Sequence, residues 1–409
     1  MYNEDSGISQ PATPMSFVEP REATIVPVDS VLLRYQMGYL HPRRAVDPSP
    51  RMSSPGTVFQ MIGDCSTSPS ASEKAQPEDA WMMADEGSVD VVVVHHNRTD
   101  LTERCVRALA GDDGAVRTVT IVDSGSSPPL SDPYVSSWTD LLRGASRTSA
   151  AIELFVEVVE SNVGFAEANN RGLALRFEEG AEFFLVLNND AYVSPSALRH
   201  MVSVARETGA AMVVPAVYRA DEPSQVDRFG LTLTKTGAAY DRRSESDGPL
   251  LCPSGCAALY RRDLVADLMG DAEGFFDRRF EAYAEDLDAG LRARARGYDV
   301  AFAPDARILH EGSATFGSSS PRANFLRHRN TLWAVAKNLS SGLLWRHGVW
   351  LGLGQVAALI NGLRRRTFRS VVMGKFSGLR AWHQVRGSSE GRARISDVQL
   401  FDRRFWISR

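Results

Sequence analysis

Phe183-Phe184-Leu185-Val186-Leu187-Asn188-Asn189-Asp190 decides how this chain folds. Five consecutive apolar residues read as a strand buried on both faces. The run then stops on three side chains that all carry oxygen. The same arrangement recurs upstream. Val91–Val94 is a β-branched run, and Val119–Val122 is another that ends at Asp123-Ser124-Gly125-Ser126. Residues 152–159 make a further strand. Helical stretches are expected from about Asp100 to Leu109 and from Asn169 to Phe177. Strand and helix alternating at this spacing predict crossover units and a mainly parallel sheet. Ligands of such sheets bind beyond the carboxyl ends of the strands, and two of these strands end in an aspartate.

Taken singly, each candidate residue has an ordinary explanation beside the chemical one. Asp190, with Asn188, can offer oxygen to a hard cation such as Mg²⁺ or Mn²⁺ that bridges a diphosphate. An Asx turn explains the same residues. Asp123 can accept from a base or ribose, or it can simply organise the turn at Gly125. The segment Asn162-Val163-Gly164-Phe165-Ala166-Glu167-Ala168-Asn169-Asn170-Arg171-Gly172 is not the dinucleotide fingerprint. Its tandem Asn169 and Asn170 are nevertheless unusual at a helix start. Glu285-Asp286-Leu287-Asp288 opens a helix that runs to about Arg296, with Leu287 and Leu291 on one face and Asp288 positioned to pair with Arg292. Acidic residues suit a helix N-terminus, but three within four positions repel one another and raise at least one pKa. A raised carboxylate is what a general base at neutral pH requires. His310 follows the run Val300–Leu309 and can be a metal ligand, a phosphate donor or a structural histidine. His95 and His96 are adjacent on a strand and point to opposite faces, so they do not form a metal pair.

In order along the chain these segments resemble the inverting GT-A glycosyltransferases of family 2, in particular the rhamnosyltransferase-like branch that builds bacterial cell-surface glycans. Val91-Val92-Val93-Val94-His95-His96-Asn97 stands where the family has an apolar strand and Asn-Tyr-Asn. Ile121-Val122-Asp123-Ser124-Gly125-Ser126 stands for V-D-N-G-S, and Asn162–Gly172 for N-x-G-F-x-x-x-N-N-x-G. Leu187-Asn188-Asn189-Asp190 stands for L-N-P-D, and Ser254-Gly255-Cys256 through Arg261-Arg262 for S-G-A-x-x-x-x-R-R. Gly274-Phe275-Phe276-Asp277 through Glu285-Asp286-Leu287-Asp288 stands for G-F-F-D-E-x-F…E-D-x-D. The resemblance covers roughly 89–335. It implies an α/β GT-A fold, a Rossmann-like mainly parallel sheet flanked by helices, with a helical C-terminal tail.

The resemblance also implies roles. Asp123 would bind the nucleotide base or ribose, and Gly164, Asn169, Asn170 and Asn188 would line the substrate. Asp190 and His310 would hold a divalent metal, Mg²⁺ or Mn²⁺, on the donor diphosphate. Asp286 would be the general base with Glu285 in support, and Ser254 and Gly255 would line the acceptor side. The implied donor is a dTDP- or UDP-sugar carrying rhamnose or another deoxyhexose. The implied acceptor is a glycan, lipid-linked or small-molecule hydroxyl. His95-His96 departs from Asn-Tyr at the base contact, and Asn189 replaces the usual Pro. A catalytically silent sugar-nucleotide-binding scaffold at the membrane is the competing reading, but it would lack the metal or base residue. A sugar-nucleotide-forming nucleotidyltransferase would want a Gly-rich, basic loop after the first strand, where His95-His96-Asn97 stands instead.

Composition separates the chain into regions. Its 409 residues carry 46 basic and 50 acidic side chains, a net −4. That total hides a tail, 321–409, with 17 basic and 3 acidic residues, against 29 and 47 in the rest. Residues 1–86 hold 10 of the 20 prolines and read as an irregular leader, with one short element expected over Val31–Leu40. Residues 87–320 are the expected catalytic domain. The stretch 344–363 is Trp-rich and apolar and is flanked by Arg346 and Arg364-Arg365-Arg366. That pattern suits either an interfacial helix on an anionic membrane or a core helix beside a solvated charge run. No nucleic-acid recognition module is present. Four cysteines are too few for a disulfide scaffold and are expected reduced and buried. With neither a secretory signal nor a long apolar run, the expected place is the cytoplasm, peripheral on the inner face of the cell membrane.

Overall fold

A computed structural model describes residues 88–145, 151–312, 320–388, 394–395 and 401–402. The leader expected over 1–86, with its element at Val31–Leu40, and Cys65 lie outside the described residues. The first half alternates as expected: β1 (Val89–His95), α1 (Thr99–Ala110), β2 (Val116–Ser124), α2 (Asp132–Ala145), β3 (Glu153–Val159), α3 (Phe165–Arg176) and β4 (Phe183–Asn188). Short elements follow: β5 (Ala191–Val193), α4 (Ala197–Thr208), β6 (Met212–Arg219), β7 (Val226–Arg228), β8 (Leu231–Thr234) and β9 (Ala239–Asp241). Next come β10 (Ala257–Arg261), α5 (Arg262–Met269), a 3-10 turn at Arg278–Phe280, α6 (Glu285–Ala295) and β11 (Val300–His310). The C-terminal region is helical: α7 (Pro321–Asn338), α8 (Ser341–Arg346), α9 (Gly348–Arg364), α10 (Phe368–Arg380) and α11 (Trp382–Gly387), then β12 (Phe401–Asp402).

The main sheet has the order β3-β2-β1-β4-β10-β6-β11-β5, with β7 beside β6. β1 pairs in parallel with β2 and β4, and β2 with β3. β6 and β11 are also parallel. β10 alone runs backwards through the centre, antiparallel to both β4 and β6. This inversion matters for the site. It brings the loop that enters β10, Ser254-Gly255-Cys256, to the edge where the parallel strands deliver their carboxyl ends.

The all-valine run of β1 is buried on both faces, as its composition demands. Val91 and Val93 join one core with Leu185, Leu187 and residues of α1, α2 and α4. Val92 joins the opposite core with Phe184, Val186 and residues of α3, α5, α6 and α7. β3 is only partly buried, because it is the last strand on that side of the sheet. The pairing expected within α6 is present, with Arg292 Nε 2.9 Å from Asp288 Oδ2, and Leu287 and Leu291 are both fully buried. Cys105, Cys252 and Cys256 are free and buried.

Two details differ from the expected elements. α3 begins at Phe165, four residues before Asn169, because Gly164 at φ 84° turns the chain into the helix. Asn169 and Asn170 are therefore inside α3. The apolar stretch 344–363 is also not one helix: it breaks at His347 into α8 and α9. No helix among the described residues is long and apolar enough to cross a membrane.

Candidate active site at the carboxyl ends of the strands

The carboxyl ends of β1 and β2 and the loop leading into α3 are stitched together by short polar side chains. His95 Nδ1 lies 2.8 Å from Thr102 Oγ1, and Asn189 Nδ2 donates to the same hydroxyl at 3.0 Å. Burial keeps the His95 pKa below its ordinary value, against the pull of Asp123. His96 turns the other way and holds the Ser124 carbonyl at 2.8 Å. Asp123 is fully buried. Its Oδ1 accepts from the Ser126 N–H at 3.1 Å and its Oδ2 from the Leu130 N–H at 2.7 Å. Both oxygens of the expected nucleotide contact thus organise its own turn. Gly125, at φ +65°, passes so close to the next loop that a Cβ would sit 2.3 Å from the Asn162 nitrogen.

Within α3, Asn169 Nδ2 bonds the Phe165 carbonyl at 2.9 Å, and its Oδ1 is buried without a hydrogen-bond partner. Asn170 makes a two-way pair with the backbone of Phe276: Nδ2 donates to the carbonyl at 2.7 Å and Oδ1 accepts from the N–H at 2.8 Å. That pair explains an asparagine in a helix interior. The side chain trades helix propensity for two bonds that fix the loop before α6.

The structure brings Asp190 and His310 together. Asp190 follows β4, His310 ends β11, and His310 Nε2 is 3.3 Å from Asp190 Oδ1. Asp227 Oδ2 holds the other ring nitrogen, Nδ1, at 2.8 Å. Arg228 Nε contacts the same Asp227 oxygen at 2.8 Å, and its Nη1 is 3.6 Å from Asp241 Oδ1. Burial opposes a charged His310, but Cys256 and the bonds to Asp190 and Asp227 outweigh it and push the pKa up to about 12. Among the described residues no three side chains form a metal cluster. Asp190 still offers the carboxylate by which a Mg²⁺- or Mn²⁺-type cation is commonly held while substrate phosphates and water fill the rest. Asp227 on Nδ1 leaves Nε2 facing Asp190; with its pKa raised the ring carries a proton there, which it would have to give up before Nε2 could ligate a cation. Asn188 ends β4 half-buried, its N–H bonded to the Cys256 carbonyl at 2.9 Å.

The acidic pair sits at the start of α6. Asp286 Oδ2 accepts from the Gly255 N–H at 2.8 Å and Oδ1 from the Leu287 N–H at 2.7 Å. Asp286 is partly exposed, whereas Glu285 is 5% exposed with one carboxyl oxygen lacking a partner. Burial raises the Asp286 pKa and Asp241 adds to it; the two backbone N–H bonds and Arg228 pull it back. Burial, then the Asp286 charge, holds the Glu285 pKa well above the usual carboxylate range. The like-charge crowding therefore falls on Glu285 and Asp286. Asp288 escapes it, because Lys337 and Arg292 overcome its burial and lower its pKa. Ser254 is buried next to this pair, its carbonyl accepting from the Ala257 N–H at 3.3 Å.

The sequence profile described as Glycosyl transferase family 2 matches residues 90–269. Those residues belong to glycosyltransferase family 2. A second profile, Glycosyl transferase family group 2, matches 183–366 and so extends past the family 2 region to just beyond the end of α9. The chain is 24% identical over 248 residues, 56% of its length, to the O-antigen biosynthesis protein RfbC of Myxococcus xanthus. It is 27% identical over 135 residues, 33% of its length, to the N-acetylglucosaminyl-diphospho-decaprenol L-rhamnosyltransferase of Mycobacterium tuberculosis. These matches span 17% and 42% of the two relatives. Among solved structures, the mannosyltransferase PcManGT from Pyrobaculum calidifontis in complex with GDP-Man and Mn²⁺ aligns at 14% identity. It covers 76% of this chain and 89% of that one, with a TM-score of 0.43. S. aureus TarS aligns at 17% identity, over 60% and 39%, with a TM-score of 0.41.

Several residues around the family 2 site carried no sequence signal of their own. Asp227, Arg228 and Asp241 come from short strands without periodicity, and only their approach to His310 and Asp286 gives them meaning. Asn330 is different. It is an asparagine in the middle of α7 and is fully buried, so the reasoning that flagged Asn169 and Asn170 applies equally to it.

Proposed function

We propose that this chain is an inverting, metal-assisted glycosyltransferase. It transfers rhamnose or another deoxyhexose from a dTDP- or UDP-sugar to a hydroxyl of a lipid-linked glycan. The observation that carries the reading is Asp286. It is a partly exposed carboxylate with a raised pKa, pinned by the Gly255 N–H at the same sheet edge as the Asp190–His310 pair. In this reading Asp286 takes the proton of the acceptor hydroxyl. The oxygen forms its bond to the anomeric carbon as the bond from that carbon to the diphosphate oxygen breaks, on the opposite face, with inversion. Asp190 and His310 would hold the divalent ion, which when bound offsets negative charge on the leaving diphosphate as a Lewis acid. Gly255 and Leu287 keep Asp286 aimed, and burial together with the Asp286 charge holds the neighbouring Glu285 pKa well above the usual carboxylate range. The name of the mycobacterial relative supports a rhamnose donor and a diphospho-lipid acceptor.

The proposed place of work is an anionic membrane surface. Residues 313–388 contain 12 Lys and Arg and no Asp or Glu. On α8 to α10, Trp345 is 89% exposed, Phe376 66%, Leu363 60% and Leu379 59%. Apolar side chains this exposed, on helices this rich in arginine, match interfacial helices.

The test is a thermal-shift screen of dTDP- and UDP-sugars with Mn²⁺, followed by transfer to a GlcNAc-diphospho-lipid. The expected result is a shift with one nucleotide series, and turnover lost in both Asp190→Ala and Asp286→Asn. Binding without turnover in the unaltered protein would instead establish the silent scaffold.

A further inference from the structure

The backbone immediately before the acidic pair is strained. Glu281, Tyr283 and Ala284 have φ of 64°, 70° and 66°, and none is glycine. At Glu281 the ψ is −67°, and the Ala282 N–H closes onto the Phe280 carbonyl at 2.7 Å. That is a γ-turn of the rarer, strained hand. Ala284 is the N-cap of α6 in the left-handed region and has no side-chain cap. Such conformations persist only where the surroundings impose them, and they gather at functional sites.

Here the constraint comes mainly from one side chain of α7. Asn330 Nδ2 shares its two hydrogens among the carbonyls of Phe280 at 2.8 Å, Ala282 at 2.9 Å and Tyr283 at 2.8 Å. Its Oδ1 is fixed by Arg329 Nε at 2.8 Å. Arg329 also reaches Glu281 Oε1 at 3.2 Å, and the Arg327 guanidinium lies over the Tyr283 ring at 4.5 Å. The far side of the segment touches the first turn of α3: the Glu281 carbonyl accepts from the Ala166 N–H at 3.1 Å. The segment is therefore fixed between α7 and α3 and leads directly into Glu285 and Asp286.

We infer that Asn330 is a positioning residue for glycosyl transfer: it holds 280–284 in the one backbone path that aims Asp286 at the acceptor. The inference rests on the proposed role of Asp286 as base. Asn330 is fully buried and acts through backbone carbonyls, so its influence is on alignment rather than on binding.

The test compares the unaltered protein, Asn330→Ala, Asn330→Asp and the double variant Asn330→Ala/Ala284→Gly. The substrates are dTDP-L-rhamnose and a GlcNAc-diphospho-lipid with Mn²⁺. Losing the clamp should lower kcat about 10–100-fold, the scale of a small misplacement of a reacting group, with the KM for dTDP-L-rhamnose unchanged. Glycine adopts the Ala284 conformation without steric cost, so the double variant should regain part of kcat. Amide hydrogen exchange should quicken at 281–287 in Asn330→Ala while β1 and β4 stay protected. Unaltered kcat with unaltered exchange would overturn the inference. So would a loss that Ala284→Gly cannot relieve, accompanied by faster exchange throughout the sheet. If the unaltered protein transfers nothing, the reading of Asp286 fails, and hydrogen exchange still decides whether Asn330 holds the segment.

Discussion

The Gly255 N–H donates to Asp286 Oδ2 at 2.8 Å, and this bond ties the loop entering the one reversed central strand to the first turn of α6. The carboxylate keeps both oxygens on backbone donors while remaining partly exposed. It can therefore be aimed without being shut away from a substrate.

Asp286→Asn should cut transfer by roughly 10²–10⁴-fold, the usual contribution of a positioned base. The amide can still accept from Gly255 through its oxygen but turns its Nδ2 toward the Leu287 N–H, so a stability loss of about 1 kcal/mol should accompany the fall in transfer. Steady-state transfer beside a thermal melt separates the two effects, and an active variant would remove Asp286 from the chemistry.

The acid limb of the kcat/KM profile should lie above the ordinary aspartate pKa. A base works only when deprotonated, and burial raises the Asp286 pKa with Asp241 adding to it; activity should therefore rise with pH through that shifted value. Asp241→Asn removes the nearby negative charge and leaves Arg228 less neutralised. Both changes favour ionised Asp286, so the limb should move to lower pH. A limb that moves up would contradict this electrostatic arrangement.

Lys337 is fully buried between Asp277 Oδ2 at 2.8 Å and Asp288 Oδ2 at 2.9 Å. Lys337→Met should cost about 3–5 kcal/mol in urea unfolding, the penalty for stranding buried partners. Against the cost of burial, their cationic neighbours hold both carboxylates below the usual range. Their stabilisation is then present above the unfolded-state pKa of about 3.9 and is lost as pH falls through the folded values. A variant as stable as the parent would mean that α7 is held to α6 by apolar packing alone.

Gly125→Ala should destabilise by at least about 2 kcal/mol. The left-handed backbone costs an L-residue roughly 1–2 kcal/mol, and the new methyl would meet the Asn162 nitrogen at 2.3 Å. A thermal melt reads the loss. The response to dTDP and UDP should weaken as well, because the loop carrying Asn162 must move.

Replacing Arg364, Arg365 and Arg366 with serine should weaken binding to phosphatidylserine vesicles by about 3 kcal/mol, roughly two decades in partitioning. Phe376→Ser should weaken binding to neutral and anionic vesicles alike. Co-sedimentation that ignores both changes would leave the α9–α10 face without a lipid partner.

Much of the half that carries β1 to β4 is legible in the residues alone. The valine run of β1 and the Phe-Phe-Leu-Val-Leu run of β4 can only be strands buried on both faces, and each ends where a polar side chain reaches the ligand edge. The Asp288–Arg292 pair follows from helical spacing alone. α3 starts four residues before Asn169, although Asn169 and Asn170 look like helix openers. Their bonds to Phe165 and Phe276 hold them inside the helix instead, and one of those partners is 106 residues away.

Sequence by itself determined the alternating strands and helices, the family 2 motif set, the acidic body and the arginine-rich tail, because these depend on residues close together in the chain. Only the tertiary structure decided that Asp227 faces His310, that Asp241 and Arg228 act on Asp286, and that Asn330 holds the strained turn before Glu285. Each of those interactions joins residues far apart in sequence through polar groups that are buried or half-buried. Such a group has no periodicity to announce it, and its partner is set only when the sheet order and the packing of α6 against α7 are fixed.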